Sequence, residues 1–269
     1  MAANYSAKQW ENKMNNTQTM SFARVINLYR TEARYELLKT MRSPSFAIPT
    51  ILFPVMFYLF FGVIFNHGNL QAVTYMLATY GTFGVIGPAL FTFGVGLAVE
   101  RGQGWLDIKE ASPMPPSAQI LARILVAMLF SLIIVLSLFF LAWSLANVQL
   151  ALWQWLTLAT VLILGGLPFC VFGLTLGLVL KANAAPAIVN LIYLPVSFFS
   201  GLWIPISMFP DVMQTIAWFL PPHHLAQLAL SVTGHAPSAD VWEHILVLFV
   251  FSLVFFILAL LAYRKKDKQ

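Results

Sequence analysis

The chain has 269 residues, 59% of them hydrophobic and only 9% charged, with 23 Phe and a mean hydropathy of +0.79. That composition excludes a soluble globular domain and a disordered chain, and describes an integral membrane protein. The net charge of +5 is interpretable only once the charges have been placed along the chain.

In chain order, residues 1–20, "MAANYSAKQWENKMNNTQTM", form a polar tail expected to be mobile, and no short apolar core with a cleavage site precedes the first span. Over 21–43, Phe22, Ile26, Tyr29, Ala33, Leu37 and Met41 recur at spacings of three or four, while Arg24, Asn27, Arg30 and Arg34 line another face. The spacing predicts an amphipathic helix lying in the membrane interface.

Charge-free intervals then run over 43–66, 68–99, 124–180, 182–210 and 245–263, and a crossing needs roughly 20 apolar residues. The 57 residues of 124–180 would extend far beyond a core of about 30 Å at about 1.5 Å per residue. That interval holds two spans, with the softest break at "LANVQLALWQW", where Asn147 and Gln149 sit beside the interfacial residue type of Trp153 and Trp155. The expectation is an all-α membrane domain over 44–264 with six spans, at about 46–66, 72–98, 118–146, 151–180, 184–203 and 242–263, and a basic tail over 265–269. No ten-residue polar and apolar alternation supports a transmembrane β-barrel.

With six spans, all 15 Lys and Arg fall on one side: seven from Lys8 to Arg42, then Arg101, Lys109, Arg123 and Lys181, and four after the last span. Positive-inside bias makes that side, and both termini, cytoplasmic. The charge of +5 therefore reflects topology and implies no nucleic-acid partner.

A search for chemistry is largely negative. The chain has no phosphate-binding G-x-x-x-x-G-K-[ST] loop, no H-E-x-x-H, no C-x-x-C and no G-x-S-x-G. No catalytic residue, metal ligand or bound cofactor is expected. His223-His224, next to Pro221-Pro222, read as interfacial polar residues, and Cys170 as a packing residue inside the fourth span. No span carries an ionisable group at its middle, which disfavours a proton-coupled carrier. If the protein moves a solute uphill, the energy enters from outside the membrane.

Two segments remain. In 201–230 the chain is nearly as apolar as a span, yet a full crossing would move Arg264-Lys265-Lys266 to the wrong side. Pro205, Pro210 and Pro221-Pro222 interrupt it too often for a complete span, so a re-entrant outer-leaflet helical hairpin is expected, capping the outer mouth of a pathway. The other segment is the polar island "AVERGQGWLDIKEASPMPPSAQ" over 98–119, between the second and third spans.

The island contains Glu100-Arg101, Gly104, Leu106-Asp107 and Ser112-Pro113. It resembles the run that follows the second helix in permease subunits of ABC type-2 exporters. Farther on, Ser200-Gly201, Pro205, Pro210, Gln214, Ile216 and Pro221 fit that family's S-G-x3-P-x4-P-x3-Q-x-[IL]-x4-P pattern. The resemblance covers roughly 20–265. Trp105 stands where many relatives have Thr, Lys109-Glu110 replaces a commonly apolar pair, and His223-His224 follows Pro221 in place of an Asn-Pro-rich turn.

The resemblance implies an exporter permease of the bacterial inner membrane. Two copies would form the pathway for an amphiphilic or hydrophobic substrate, and two separate ATP-binding subunits would hold ATP and Mg. The island then becomes a coupling helix seated in the ATPase, with Trp105, Leu106 and Ile108 as apolar anchors and Glu100 and Arg101 pairing with the interfacial helix. Gly94 and Gly96, and the G-x-x-x-G of Gly173 and Gly177, permit close helix approach within the chain or between chains. The alternatives are an ion-coupled six-helix carrier and a membrane scaffold without transport activity.

Overall fold

The computed structural model describes residues 22–111 and 114–266, and every regular element among them is helical. The expected tail over 1–20, Ser112, Pro113 and 267–269 of the basic tail lie outside the described residues.

Helix α1 (Phe22–Met41) is followed by α2 (Pro44–Ile64), α3 (Leu70–Gly102), the short α4 (Trp105–Glu110), α5 (Pro116–Ser144), α6 (Leu152–Val179), α7 (Ala185–Phe199), α8 (Asp211–Ala217), α9 (Pro221–Val232) and α10 (Val241–Lys266). Five of these, α2, α3, α5, α6 and α10, are long and apolar enough to cross a membrane. The chain is thus a multi-pass membrane protein.

Helix α7 is shorter than the expected 184–203. Its 15 residues rise only about 22 Å, because Gly201 adopts a left-handed φ of +76° that stops the helix and turns the chain. Helix α3 is longer than expected. It continues through Glu100 and Arg101 to Gly102 before Gly104, at φ +74°, turns the chain into α4.

The packing centres on α3. Within its apolar window 78% is buried, against 11% for α10, so α3 is the hub and α10 a peripheral helix. Gly84 admits α5 closely, since an added Cβ would stand 2.6 Å from Ile134 Cγ2. Gly173 and Gly177 of α6 lie against α3, where Cβ atoms would meet the Ala89 carbonyl oxygen at 3.0 Å and Leu97 Cβ at 2.9 Å. Gly94 faces Val189 of α7, and Gly96 faces the Arg123 guanidinium.

Helix α9 lies against α3, α6 and α10. Leu225 abuts Gly165, midway along α6, and the Gln154 amide donates to the Val232 carbonyl at 3.2 Å near the start of α6. The second short helix after Pro210 therefore runs beside the first half of α6.

Candidate functional site

Two regions concentrate polar and aromatic groups. The first is at the end of the bundle where α1, α3, α4 and α5 meet. Arg123, about two turns into α5, is only 2% exposed. Its Nη2 lies 2.5 Å from Glu100 Oε2, and its Nη1 donates to the Thr92 carbonyl at 3.0 Å and stands 3.5 Å from Glu36 Oε1. Lys39 joins both acids, 2.6 Å from Glu36 and in direct contact with Glu100. Lys109 of α4 reaches Glu32 of α1 at 2.9 Å and Glu100 at 3.7 Å.

Three carboxylates thus face three cations. Buried charge is tolerable when it is paired and its remaining hydrogen-bonding positions are filled. Here the pairing also ties α4 to α1 and α3, and α3 to α5. The Thr92 carbonyl lies within a π-helical stretch of α3, Phe91–Val95, a local widening that recurs at functional positions. Tyr29 and Ser117 add a 2.7 Å hydroxyl contact between α1 and α5.

The expected partners divide here. Glu100 pairs with α1 as expected of it, but Arg101 does not. Its Nη2 donates to the Leu180 carbonyl at 2.6 Å, securing the end of α6 instead. The three proposed anchors also divide: Trp105 and Ile108 are exposed, whereas Leu106 is buried and belongs to this chain's own packing. Asp107 lies on α4, and Gly104 forms the turn before it. Ser112 and Pro113 lie outside the described residues.

Sequence reasoning used Arg123 only to orient the chain and missed Glu36, Lys39 and Lys109 as partners. The expected faces of α1 explain part of the omission. Ile26 and Met41 do point outward, but the side turned to the protein includes Glu36, 4% exposed. Glu32 and Glu36 at a spacing of four residues, with an Arg inside an otherwise apolar helix, were the available signal.

The second region is a groove of about 600 Å³ between α2, α3 and α7. Phe53, Phe91 and Tyr193 supply aromatic walls, and Ser45, Thr50 and Asn190 supply polar ones. Tyr193 is held by its hydroxyl, which donates to the Phe83 carbonyl at 2.8 Å, and by stacking on the Phe83 ring at 4.9 Å.

A charge-locked helix at one end of a membrane bundle and a mixed groove along its side fit a transport subunit. A family model described as ABC-2 family transporter protein matches residues 2–261. The chain belongs to the ABC-2 transporter family. It is 25% identical over 246 residues to YvfS of Bacillus subtilis (strain 168), assigned as a transport permease, covering 90% of this chain and 99% of that one. It is 32% identical over 122 residues to nodulation protein J of Rhizobium leguminosarum bv. trifolii, covering 42% and 45% of the two chains. The chain is a membrane transport permease.

The permease's other motif follows α7. Gly201 makes the turn beside Ser200, Pro205 precedes a single 3-10 turn, Pro210 caps α8, and Pro221 opens α9. The Gln214 amide donates to the Phe209 carbonyl at 2.8 Å, closing α8 onto the preceding turn.

His223 and His224, expected as interfacial polar residues, face the protein. They are 4% and 1% exposed, because α9 turns them toward the bundle. His224 Nε2–H donates to the Trp218 carbonyl at 2.8 Å. In neutral His224 the Nδ1 accepts from His244 Nδ1–H at 2.9 Å. His223 lies 3.4 Å from the Ser200 carbonyl.

Burial holds the His223 pKa down to about 4 and lowers that of His224, against the opposing pull of Glu243 on His224. A depressed histidine leaves the unfolded state binding more protons between about 4 and the ordinary value of about 6.5. Stability should therefore fall as pH drops through that window. Thermal unfolding at pH 7.5 and 5 checks this: the decrease should be smaller in His223→Gln, and equal decreases in both proteins would contradict the assignment.

Proposed function

We propose that this permease is the membrane subunit of an ATP-driven exporter in the bacterial inner membrane. Two copies form the pathway, and two separate ATP-binding subunits carry ATP and Mg. The observation that carries the proposal is α4: the charge junction secures it to the bundle, while Trp105 and Ile108 project away from it. An apolar pair on a short polar helix outside the spans suits a protein groove, and hydrolytic chemistry belongs to the partner.

The end bearing Arg101, Lys109, Lys181 and Arg264 is cytoplasmic, as are both termini. Helix α7 makes the fifth of six crossings despite its length. Helices α8 and α9 re-enter the outer leaflet, a placement supported by Leu225 lying beside the midpoint of α6. Broken backbone at that depth is tolerated where protein covers it, and α3, α6 and α10 cover α9. The groove between α2, α3 and α7 lines the route, and its aromatic and polar walls suit an amphiphilic or hydrophobic substrate.

Replacing Trp105 and Ile108 together by Ala should weaken binding of the ATPase subunit about 30-fold, since losing an apolar anchor costs about 2 kcal/mol or more. Membrane insertion and thermal stability should remain unchanged, because both side chains are exposed in the isolated permease. Leu106 stays intact, its packing being internal. Titration of purified permease with the ATPase subunit measures the change. Unaltered affinity would remove α4 from the docking surface.

A further inference from the structure

On the far side of α3 from the groove lies a second hollow of about 260 Å³. Phe91 and Val95 face the groove, whereas Phe93 and Leu97 line the hollow, so the helix itself separates the two spaces. The remaining wall is built by α4, α5, α6 and α10 and is almost entirely apolar. Gln119, Arg123 and Tyr263 bring polar groups to it, and of these Gln119 is the one that calls for a ligand. It is 8% exposed and lines the hollow, and its amide makes no hydrogen bond among the described residues. The amide therefore presents unused donors to the hollow. Arg123 also borders the hollow, but Glu36, Glu100 and the Thr92 carbonyl already engage it.

The hollow has the orientation of a lipid. Gln119 lies in the first turn of α5, at the basic end, whereas Phe93 and Phe256 each lie eight residues before a cation of that end, Arg101 and Arg264, or about 12 Å along α3 and α10 at 1.5 Å per residue. That span is most of one leaflet of a bilayer core about 30 Å thick. Ile120, Phe256 and Leu260 are each more than a third exposed, placing the mouth on the lipid-facing side of the bundle. An apolar cavity of about 150 Å³ accommodates benzene, so this one admits a longer, slender apolar body.

We propose that the hollow binds one acyl chain of a phospholipid from the leaflet at the basic end, with an ester carbonyl of that lipid accepting a hydrogen bond from the Gln119 amide. Leu106 of α4 forms part of the wall. The bound chain therefore supports the inner side of the helix whose outer side carries Trp105 and Ile108.

The test uses the full permease in lipid nanodiscs containing a phospholipid with a photoactivatable diazirine near the end of one acyl chain, followed by mapping of the labelled peptides. Label should concentrate at Phe93, Leu174 and Phe256. It should fall about tenfold in Ala259→Trp, which fills the hollow from α10, a change equal to the loss of about two buried methylenes. Gln119→Leu, with little change in volume, should also reduce labelling at Phe256. Uniform labelling of outward residues such as Phe140, Leu156 and Phe249, with no excess in the hollow, would overturn the proposal. So would an unlabelled hollow with disulfide formation between Ile120→Cys of two copies, which would assign the surface to chain pairing. Labelling needs neither ATP nor transport, so its outcome is separate from that of the exporter reading.

Discussion

Arg123→Met is expected to destabilise the permease by about 3–5 kcal/mol, the cost of removing one partner from a buried ionic cluster. Glu36 and Glu100, 4% and 9% exposed, would lose the guanidinium between them. Lys39 cannot replace it, because its side chain is half exposed and approaches from the α1 side. Methionine retains much of the volume, so the loss reports charge and hydrogen bonding more than packing. Adding Glu100→Gln should recover part of the loss, since the coupling energy of a contacting pair appears as non-additivity in a double-mutant cycle. Unfolding in mixed detergent measures both variants. A loss below about 1 kcal/mol, the range of an exposed pair, would mean that water reaches the junction and that it does not lock the helices.

Gly177→Ala should be the second severe change, even though alanine is the better helix former by about 1 kcal/mol. The added Cβ would collide with the Phe93 carbonyl oxygen and stand 2.9 Å from Leu97 Cβ. The first neighbour is backbone, so a rotamer change cannot relieve the overlap, and α6 must move away from α3. Overpacking of this kind costs about 1–3 kcal/mol. Gly81→Ala provides the comparison: its Cβ would meet Leu162 Cδ1 at 2.7 Å, a terminal methyl that can rotate aside. The same unfolding measurement should therefore rank Gly177→Ala well below Gly81→Ala. Equal stability of the two would show that α3 and α6 are free to separate at this contact.

Much of the architecture was legible because the membrane imposes a coarse rule. Charge-free intervals and helix length locate α2, α3, α5, α6 and α10 to within a few residues. The shortened α7 was not legible, because Ser200-Gly201 is apolar enough to continue a span and only its left-handed backbone reveals the turn. At the candidate site, the island's position could be read from its charges and prolines. The inward role of Leu106 could not, since a six-residue helix has too few turns for its faces to be separated by periodicity. Arg123 was hidden for a different reason. A cation near a span end satisfies the topology rule whether it faces water or the protein, and only the tertiary approach of Glu36 and Glu100 decides which.

The most direct test of the exporter account is the energy source of transport. The permease and its ATP-binding subunit should be reconstituted in sealed vesicles with a fluorescent amphiphile, and movement of the amphiphile followed under two conditions. The account predicts vectorial movement on addition of Mg-ATP with ion gradients collapsed, and its loss when the permease carries Trp105→Ala and Ile108→Ala. Movement driven by an imposed proton or sodium gradient in the permease alone, unaffected by ATP, would contradict it.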